Sequence, residues 1–386
     1  MEDSRVEFFS RIFHIRPQLL ASAPGRINII GEHTDYNNGY VLPAAIHLRT
    51  HFLAAPRSDR RVRIWADDFQ QEDTFDLDAI IPSEGCRWAN YIKGIFWVLD
   101  QEGHRLGGVD ALIWGNVPLE AGLSSSAALE VSIIKGLSSL FEIPLPDMAL
   151  AKLAQKAEND FVGVQCGLMD QFISVFGKKE SALFLDCESL DFSLFPLHLE
   201  RAGLGILVYD TKVRRKLSSS EYNRRRREAA GALDVLKEKG VRSYKEATIK
   251  QLEAAHREMG DTSFKRARHV ITENARVRRA VEALRKDDFF ALGDLLFDSH
   301  RSLRDDYEVS SPELDLLHDV GRGFAGCLGA RLVGAGFGGS GIALLEKQTM
   351  EGFRKRMLAE AEEREFPRPE FYEVSIGDGA SVSRLD

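Results

Sequence analysis

Between Gly25 and Gly39 one stretch gathers Arg26, Asn28, Glu32, His33, Thr34, Asp35 and Tyr36 behind the apolar Ile27, Ile29 and Ile30. A cation, two carboxylates and an imidazole this close together suit polar binding or acid–base work in a cleft. A core strand has no use for them, because buried charge costs several kcal/mol unless paired. A solvated turn with Asp and Asn as caps explains the polarity but not the isoleucines that lead into it. A strand delivering polar side chains to a cleft explains both.

Residues 115–128, Gly-Asn-Val-Pro-Leu-Glu-Ala-Gly-Leu-Ser-Ser-Ser-Ala-Ala, follow a strand-like run and open an Ala/Leu/Glu-rich helix. That layout sets free backbone N–H groups and the positive helix end at the loop, a cradle for phosphate. Ser124, Ser125 and Ser126 add hydroxyls for phosphate or Mg²⁺. It is not a Walker loop, since no Lys follows the last glycine. A serine N-cap on a tight turn is the plainer alternative, which three consecutive serines make less attractive. A second glycine loop, Gly334-Ala335-Gly336-Phe337-Gly338-Gly339, formally satisfies GxGxxG. A dinucleotide fingerprint must open a helix, yet residues 340–345 read as a strand, so the loop either shapes a site or is a structural turn. Asp170 stands alone among Gly, Leu, Met and Phe in Gln165-Cys166-Gly167-Leu168-Met169-Asp170-Gln171-Phe172, where a carboxylate is helix-capping, ion-paired or functional. Glu158, on a helical stretch before it, reads by itself as a solvated surface residue.

These groups must be positioned by alternating strand-like and helix-like stretches, which predict layered α+β (mixed α/β) architecture. Strands are expected at residues 19–23, 61–65, 111–117, 182–185, 205–209, 330–333 and 342–345, and helices at 127–141, 148–159, 221–238, 250–259 and 264–284. In the last, Val270, Ile271, Ala275, Val277, Val281 and Leu284 recur at helical spacing with arginines between them, predicting an amphipathic helix against a sheet. A length of 386 residues suits two domains, and a composition shift near Phe195-Pro196 divides them into residues 1–200 and 201–386. A net charge of −8 and a pI near 5.8 exclude an electrostatic nucleic-acid binder. The run Arg224-Arg225-Arg226-Arg227, flanked by Glu221 and Glu228, reads as a solvated helix face. No signal-peptide profile and no membrane-spanning apolar run is present. Cys86, Cys166, Cys187 and Cys327 are too dispersed for a disulfide frame or zinc site, so a cytoplasmic protein with reduced thiols is expected.

Residues 25–36, read as Gly-Arg-x-Asn-x-x-Gly-Glu-His-Thr-Asp-Tyr, closely resemble the sugar-binding signature of galactokinases, within the GHMP family of small-molecule kinases. Residues 115–128 resemble the second GHMP motif and residues 334–339 the third, so the resemblance runs from Ser22 to Gly339. It implies a two-domain GHMP kinase, with a ribosomal-protein-S5-like N-terminal domain, a ferredoxin-like C-terminal domain and the site between them. The implied reaction is ATP-dependent phosphorylation of galactose at its anomeric oxygen, with Mg²⁺, giving galactose 1-phosphate and ADP. The implied roles are Asp170 as base and Arg26 as the cation beside it. Glu32, His33, Thr34, Asp35 and Tyr222 fall to the sugar, with Gly167 letting the sugar approach the backbone. Glu120, Ala121, Gly122, Leu123, Ser124, Ser125 and Ser126 fall to the nucleotide phosphates, and Ser126 and Glu158 to the metal. Trp88 stacks on adenine, or is an ordinary core tryptophan. Galactose and ATP are the expected partners of a monomer. One departure stands out: the family usually has glycine where this chain has Glu120, and a carboxylate near polyphosphate is unfavourable unless it points away. A kinase for a related sugar such as N-acetylgalactosamine, and a sensor that binds without catalysis, are the rivals. Intact Asp170, Arg26 and serines oppose the sensor.

Overall fold

The protein, described here from a computed structural model covering residues 2–214 and 218–385, is organised by two sheets. In chain order the strands are β1 (Leu19–Ile30), β2 (Tyr40–Pro56), β3 (Arg61–Ala66), β4 (Gln71–Asp76), β5 (Val109–Gly115), β6 (Ser181–Asp186), β7 (Phe192–Pro196), β8 (Leu204–Asp210), β9 (Cys327–Val333), β10 (Ser340–Glu346), β11 (Glu370–Val374) and β12 (Ser381–Arg384). The first sheet runs β12-β1-β2-β5-β3-β4, with β6 on β2 and β7 on β6; the second runs β11-β8-β10-β9. The end of the chain therefore returns to the first sheet, where β12 pairs with β1 from Leu19↔Arg384 to Ser22↔Ser381.

The expected strands all form, but β1 extends through the signature to Ile30 and the 17-residue β2 was not foreseen. Both are buried along most of their length, so neither shows the alternation that marks a half-exposed strand. β1 also changes partners along its length. Leu19, Ala21 and Ala23 pack with helices of the first half, whereas Ile27, Ile29 and Ile30 pack in a core shared with the second sheet. Its pairing with β2 is irregular between Pro24 and Arg26 and again between Asn28 and Ile30; such bulges re-aim side chains next to sites.

The two helices expected at 250–259 and 264–284 form one run, Ile249–Leu284, broken at Gly260, whose φ is 74°. Val277, Val281 and Leu284 enter the shared core beside Leu292 and Leu296 of the helix Phe289–Asp305. The polar residues between them do more than face water. Glu273 accepts from the Gly31 N–H at 2.9 Å and from the Ser299 hydroxyl at 2.7 Å, and Arg276 Nε donates to it at 2.6 Å. Asn274 accepts from the Tyr40 N–H at 2.8 Å, and His269 Nε2 lies 3.0 Å from the Glu32 carbonyl oxygen. This helix thus fastens the signature turn from behind. Glu273→Ala is expected to cost about 3–5 kcal/mol, the usual consequence of stripping a buried charge network of one partner. Chemical denaturation measures it; a loss below about 1 kcal/mol would mean the turn holds itself.

Candidate active site

Side chains from β1, the signature turn, the helix Met169–Phe176, the helix Ser218–Glu238 and the β9–β10 loop line one cavity of about 350 Å³. At its floor Arg26 grips Asp170 with two parallel hydrogen bonds, Nε to Oδ1 and one amino group to Oδ2, both 2.8 Å. The other amino group donates to the Gly122 carbonyl at 2.6 Å. Arg26 reaches this point because β1 runs hard against the phosphate loop. A side chain at Gly25 would meet the Leu123 carbonyl oxygen at 2.7 Å, and that oxygen accepts from the Arg26 N–H at 3.0 Å. Such bidentate, charge-assisted pairs fix geometry as well as charge.

Asp35 stands beside this pair. Its Oδ2 lies 1.9 Å from where a Gly167 Cβ would be, so Gly167 makes room for a carboxylate, and it also lines the cavity. Burial, and then the nearby charge of Asp170, push the Asp35 carboxyl up from 3.8 to about 7. His33 holds a left-handed backbone, φ 61°, and is driven down to about 3 by burial, then by His269, so it is neutral in ordinary buffers. Its Nδ1 shares a 2.6 Å hydrogen bond with the Tyr36 hydroxyl, which lies 3.0 Å from that of Tyr307. Tyr222 completes the cluster, with its ring 5.7 Å from His33 and 5.3 Å from Tyr36. His33 Nε2 is buried with no hydrogen-bond partner among the described residues. Glu32 also lines the cavity. Thr34 does not: it is fully buried, and its hydroxyl donates to the carbonyls of Gly31 and Tyr40, both at 2.7 Å. It shapes the turn. Tyr36 and Tyr307 were missed. Tyr36 lay in the signature unassigned, and nothing in the sequence around Tyr307 connects it to residue 33.

A second cavity, of about 740 Å³, opens on the other side of Gly122 and is walled by Glu120, Arg87, Arg214 and the 334–339 loop. The phosphate loop divides its labour. Ala121 and Leu123 are fully buried and offer only backbone. Ser124 sits at the N-cap of the helix Ser125–Leu140 without capping it, its hydroxyl donating to Asp170 instead. Ser125 and Ser126 begin the helix, and the Ser126 hydroxyl bonds Glu158. Glu158 is 5% exposed, not a solvated surface residue; burial raises its carboxyl, with the charge of Asp170 adding to the effect. Gln171 Nε2 bridges Glu158 at 2.6 Å and the fully buried Glu130 at 3.0 Å, a pairing that sequence spacing did not suggest. Glu120 takes φ 55°, the conformation that explains glycine as the usual occupant. Its side chain is 78% exposed and 3.9 Å from Arg214, turned to solvent. Trp88 stacks on Phe69 at 5.9 Å and donates to Gln71 at 2.9 Å; its neighbour Arg87 lines the cavity. Cys166 lines the first cavity with Sγ 3.3 Å from Glu158. The arginine run is only partly a solvated face, because Arg225 is buried and donates to the carbonyls of Tyr307 and Glu308 at 2.7 and 2.9 Å.

An ion-paired carboxylate between a small cavity and a helix-opening glycine loop is the layout of a small-molecule kinase. Three family models match: the GHMP kinases N-terminal domain over residues 90–178, the GHMP kinases C-terminal domain over 280–363, and the galactokinase galactose-binding signature over 7–56. A galactokinase of Thermotoga maritima is 45% identical over 361 residues, covering 92% of this chain and 98% of the relative. One of Roseiflexus sp. strain RS-1 is 44% identical over 350 residues, covering 90% and 88%. The crystal structure of Lactococcus lactis galactokinase complexed with galactose superposes with a TM-score of 0.93 at 38% identity, covering 98% of this chain and 99% of that one. Methanococcus jannaschii mevalonate kinase shares the fold, with a TM-score of 0.65 at 19% identity over 94% and 99% of the two chains. The class is the GHMP kinases. Within it, the chain belongs to the galactokinase family.

The raised Asp35 carboxyl has a consequence for stability. Between pH 3.8 and about 7 the folded protein retains a proton there that the unfolded chain releases. The group's contribution is therefore fully favourable below pH 3.8 and is lost as pH rises through 7. The stability that Asp35→Asn gains over the parent should be larger at pH 8.5 than at pH 5, by about 3 kcal/mol. Thermal melts at the two pH values decide it; an equal shift at both would mean that the proton is not the cause.

Proposed function

We propose that the 350 Å³ cavity takes galactose and that the γ-phosphoryl group of ATP, seated on the phosphate loop, passes to the anomeric oxygen, giving galactose 1-phosphate and ADP. The observation that carries this reading is the Arg26–Asp170 pair, which borders the sugar-sized cavity and is tied through Gly122 and Ser124 to the phosphate loop. Asp170 is the acceptor for the hydroxyl proton, and Arg26 supplies the counter-charge next to the phosphoryl group in flight. Neutral His33 lines the cavity, while Glu32 and Asp35 accept from sugar hydroxyls. Tyr36 and Tyr222 wall the cavity, backed by the buried Tyr307, and exclude water from the sugar.

Ser126 and Glu158 fit a Mg²⁺ ion. They set a hydroxyl and a carboxylate side by side at the mouth of the phosphate loop. Among the described residues no three acidic, His or Cys groups cluster to hold a metal unaided. A cation there draws its remaining ligands from phosphate oxygens and water, as Mg²⁺ prefers. When bound, the ion would neutralise phosphate charge; the chain's own part is to offer the Ser126 hydroxyl and the Glu158 carboxylate beside it.

ADP release from Mg²⁺-ATP with a sugar panel tests the reading. Galactose should be turned over best, turnover of N-acetylgalactosamine in its place would reassign the substrate, and binding without turnover would make the protein a sensor. Asp170→Asn should lower kcat by roughly 10²–10⁴-fold while galactose binding, measured by calorimetry, persists; near-parental kcat would remove Asp170 from its role. Glu158→Gln should raise the Mg²⁺ concentration for half-maximal rate, and more than Ser126→Ala does, because an anionic oxygen offsets the ion's charge and a hydroxyl only completes its shell. A flat Mg²⁺ response in both variants would overturn the assignment.

A further inference from the structure

Arg331 lies on β9 in the second sheet, is 0% exposed and lines neither cavity. A guanidinium so enclosed rarely stabilises a fold better than an apolar side chain of its size would; what it provides is direction. One amino group donates to the carbonyls of Asn28 and Ile29 on β1, at 2.8 and 2.9 Å, where the β1–β2 pairing is irregular. The other lies 3.3 Å from Glu32 Oε1. The same Oε1 accepts the Gly334 N–H at 2.7 Å, and Oε2 accepts Asn28 Nδ2 at 2.8 Å. A carboxylate offers about four acceptor positions. Gly334 and Asn28 take one position on each oxygen, Arg331 adds an ion pair and not a hydrogen bond, and Glu32 keeps one acceptor position on each oxygen at the border of the sugar cavity.

We propose that Arg331 is a positioning residue for sugar recognition: bridging from the second sheet to β1, it holds the Glu32 carboxylate by its charge so that the acceptor positions left free meet a sugar hydroxyl. The inference rests on galactose occupying the cavity. Because Gly334 opens the glycine loop just beyond Arg331, and a Gly122 Cβ would lie 3.4 Å from the Val333 carbonyl oxygen, the clamp also places Glu32 in register with the phosphate loop. Lysine would keep the charge yet offer one point of attachment where arginine offers a planar fork.

The test uses the full-length protein with Arg331→Lys, Arg331→Met, Glu32→Gln and the Arg331→Met/Glu32→Gln double variant. Galactose Kd is measured by calorimetry without nucleotide, beside KM for galactose, KM for ATP and the melting temperature. Arg331→Lys and Arg331→Met should weaken galactose by about 10- to 100-fold and leave KM for ATP within about twofold. Since both residues act through one carboxylate, the double variant should bind galactose no worse than Glu32→Gln alone. If Arg331→Met strands the Glu32 charge and does not fold, the lysine and double variants carry the comparison. A lower melting temperature with galactose Kd unchanged in Arg331→Lys, or fully additive losses in the double variant, would overturn the proposal. Parent protein that binds no galactose in the same experiment would instead overturn the reading of the cavity.

Discussion

Everything at the site is arranged around the ion pair of Arg26 with Asp170, two residues 144 positions apart in the chain. The pair holds a strand of the first sheet against the start of a short helix, and its spare donor reaches the phosphate loop at Gly122. A carboxylate in this setting is neither free to rotate nor lacking a counter-charge, so its acceptor oxygens stay aimed at one point between two cavities. The glycines around it follow from that demand. Gly25 brings β1 onto the loop, and Gly167 lets Asp35 come close enough to feel the Asp170 charge.

The second half of the chain supplies less of the reactive surface than of its rigidity. The signature turn satisfies only some of its polar groups from within. His269, Glu273 and Asn274 from the helix Ile249–Leu284 take up its backbone, and Arg331 and Gly334 take up Glu32. In exchange the turn buries Ile27, Ile29 and Ile30 in a core to which both sheets contribute. Binding groups and fold stability are coupled here, since the hydrogen bonds that orient Glu32 and His33 also join the two halves. The acidic trio of Glu130, Glu158 and Asp170 is a second such coupling, bridged partly by Gln171. Burial and neighbouring carboxylates raise both Glu130 and Glu158, so the three groups disfavour one another's charge.

Much of the site was legible because its chemistry is locally encoded. Types and spacing in 25–39, three serines opening a helix and one carboxylate in an apolar segment are features of neighbouring residues. The strand after the 334–339 loop was legible too, and it ruled out a dinucleotide site. What did not read correctly had a common cause. Thr34 looked like a ligand because its neighbours are, but its hydroxyl is used by carbonyls brought round by the turn. Glu158 looked like a surface residue because its partners Ser126, Cys166 and Gln171 lie elsewhere in the chain. Arg225 looked solvated because nothing nearby foretells Tyr307 and Glu308 above it.

The sequence by itself determined the order of elements, the glycine–serine loop that opens a helix and the residue types offered to a polar ligand, since helix periodicity, glycine turns and charge clusters are written in short windows. Tertiary structure decided which of those residues face the cavity, which carboxylate is matched with a cation and which holds a proton near neutrality. It also recruited Tyr307, Glu130, Glu273 and Arg331, and it brought β12 back beside β1. The reason is physical: burial, pairing and charge–charge repulsion depend on through-space distance between groups far apart in the chain, and no local pattern encodes that distance.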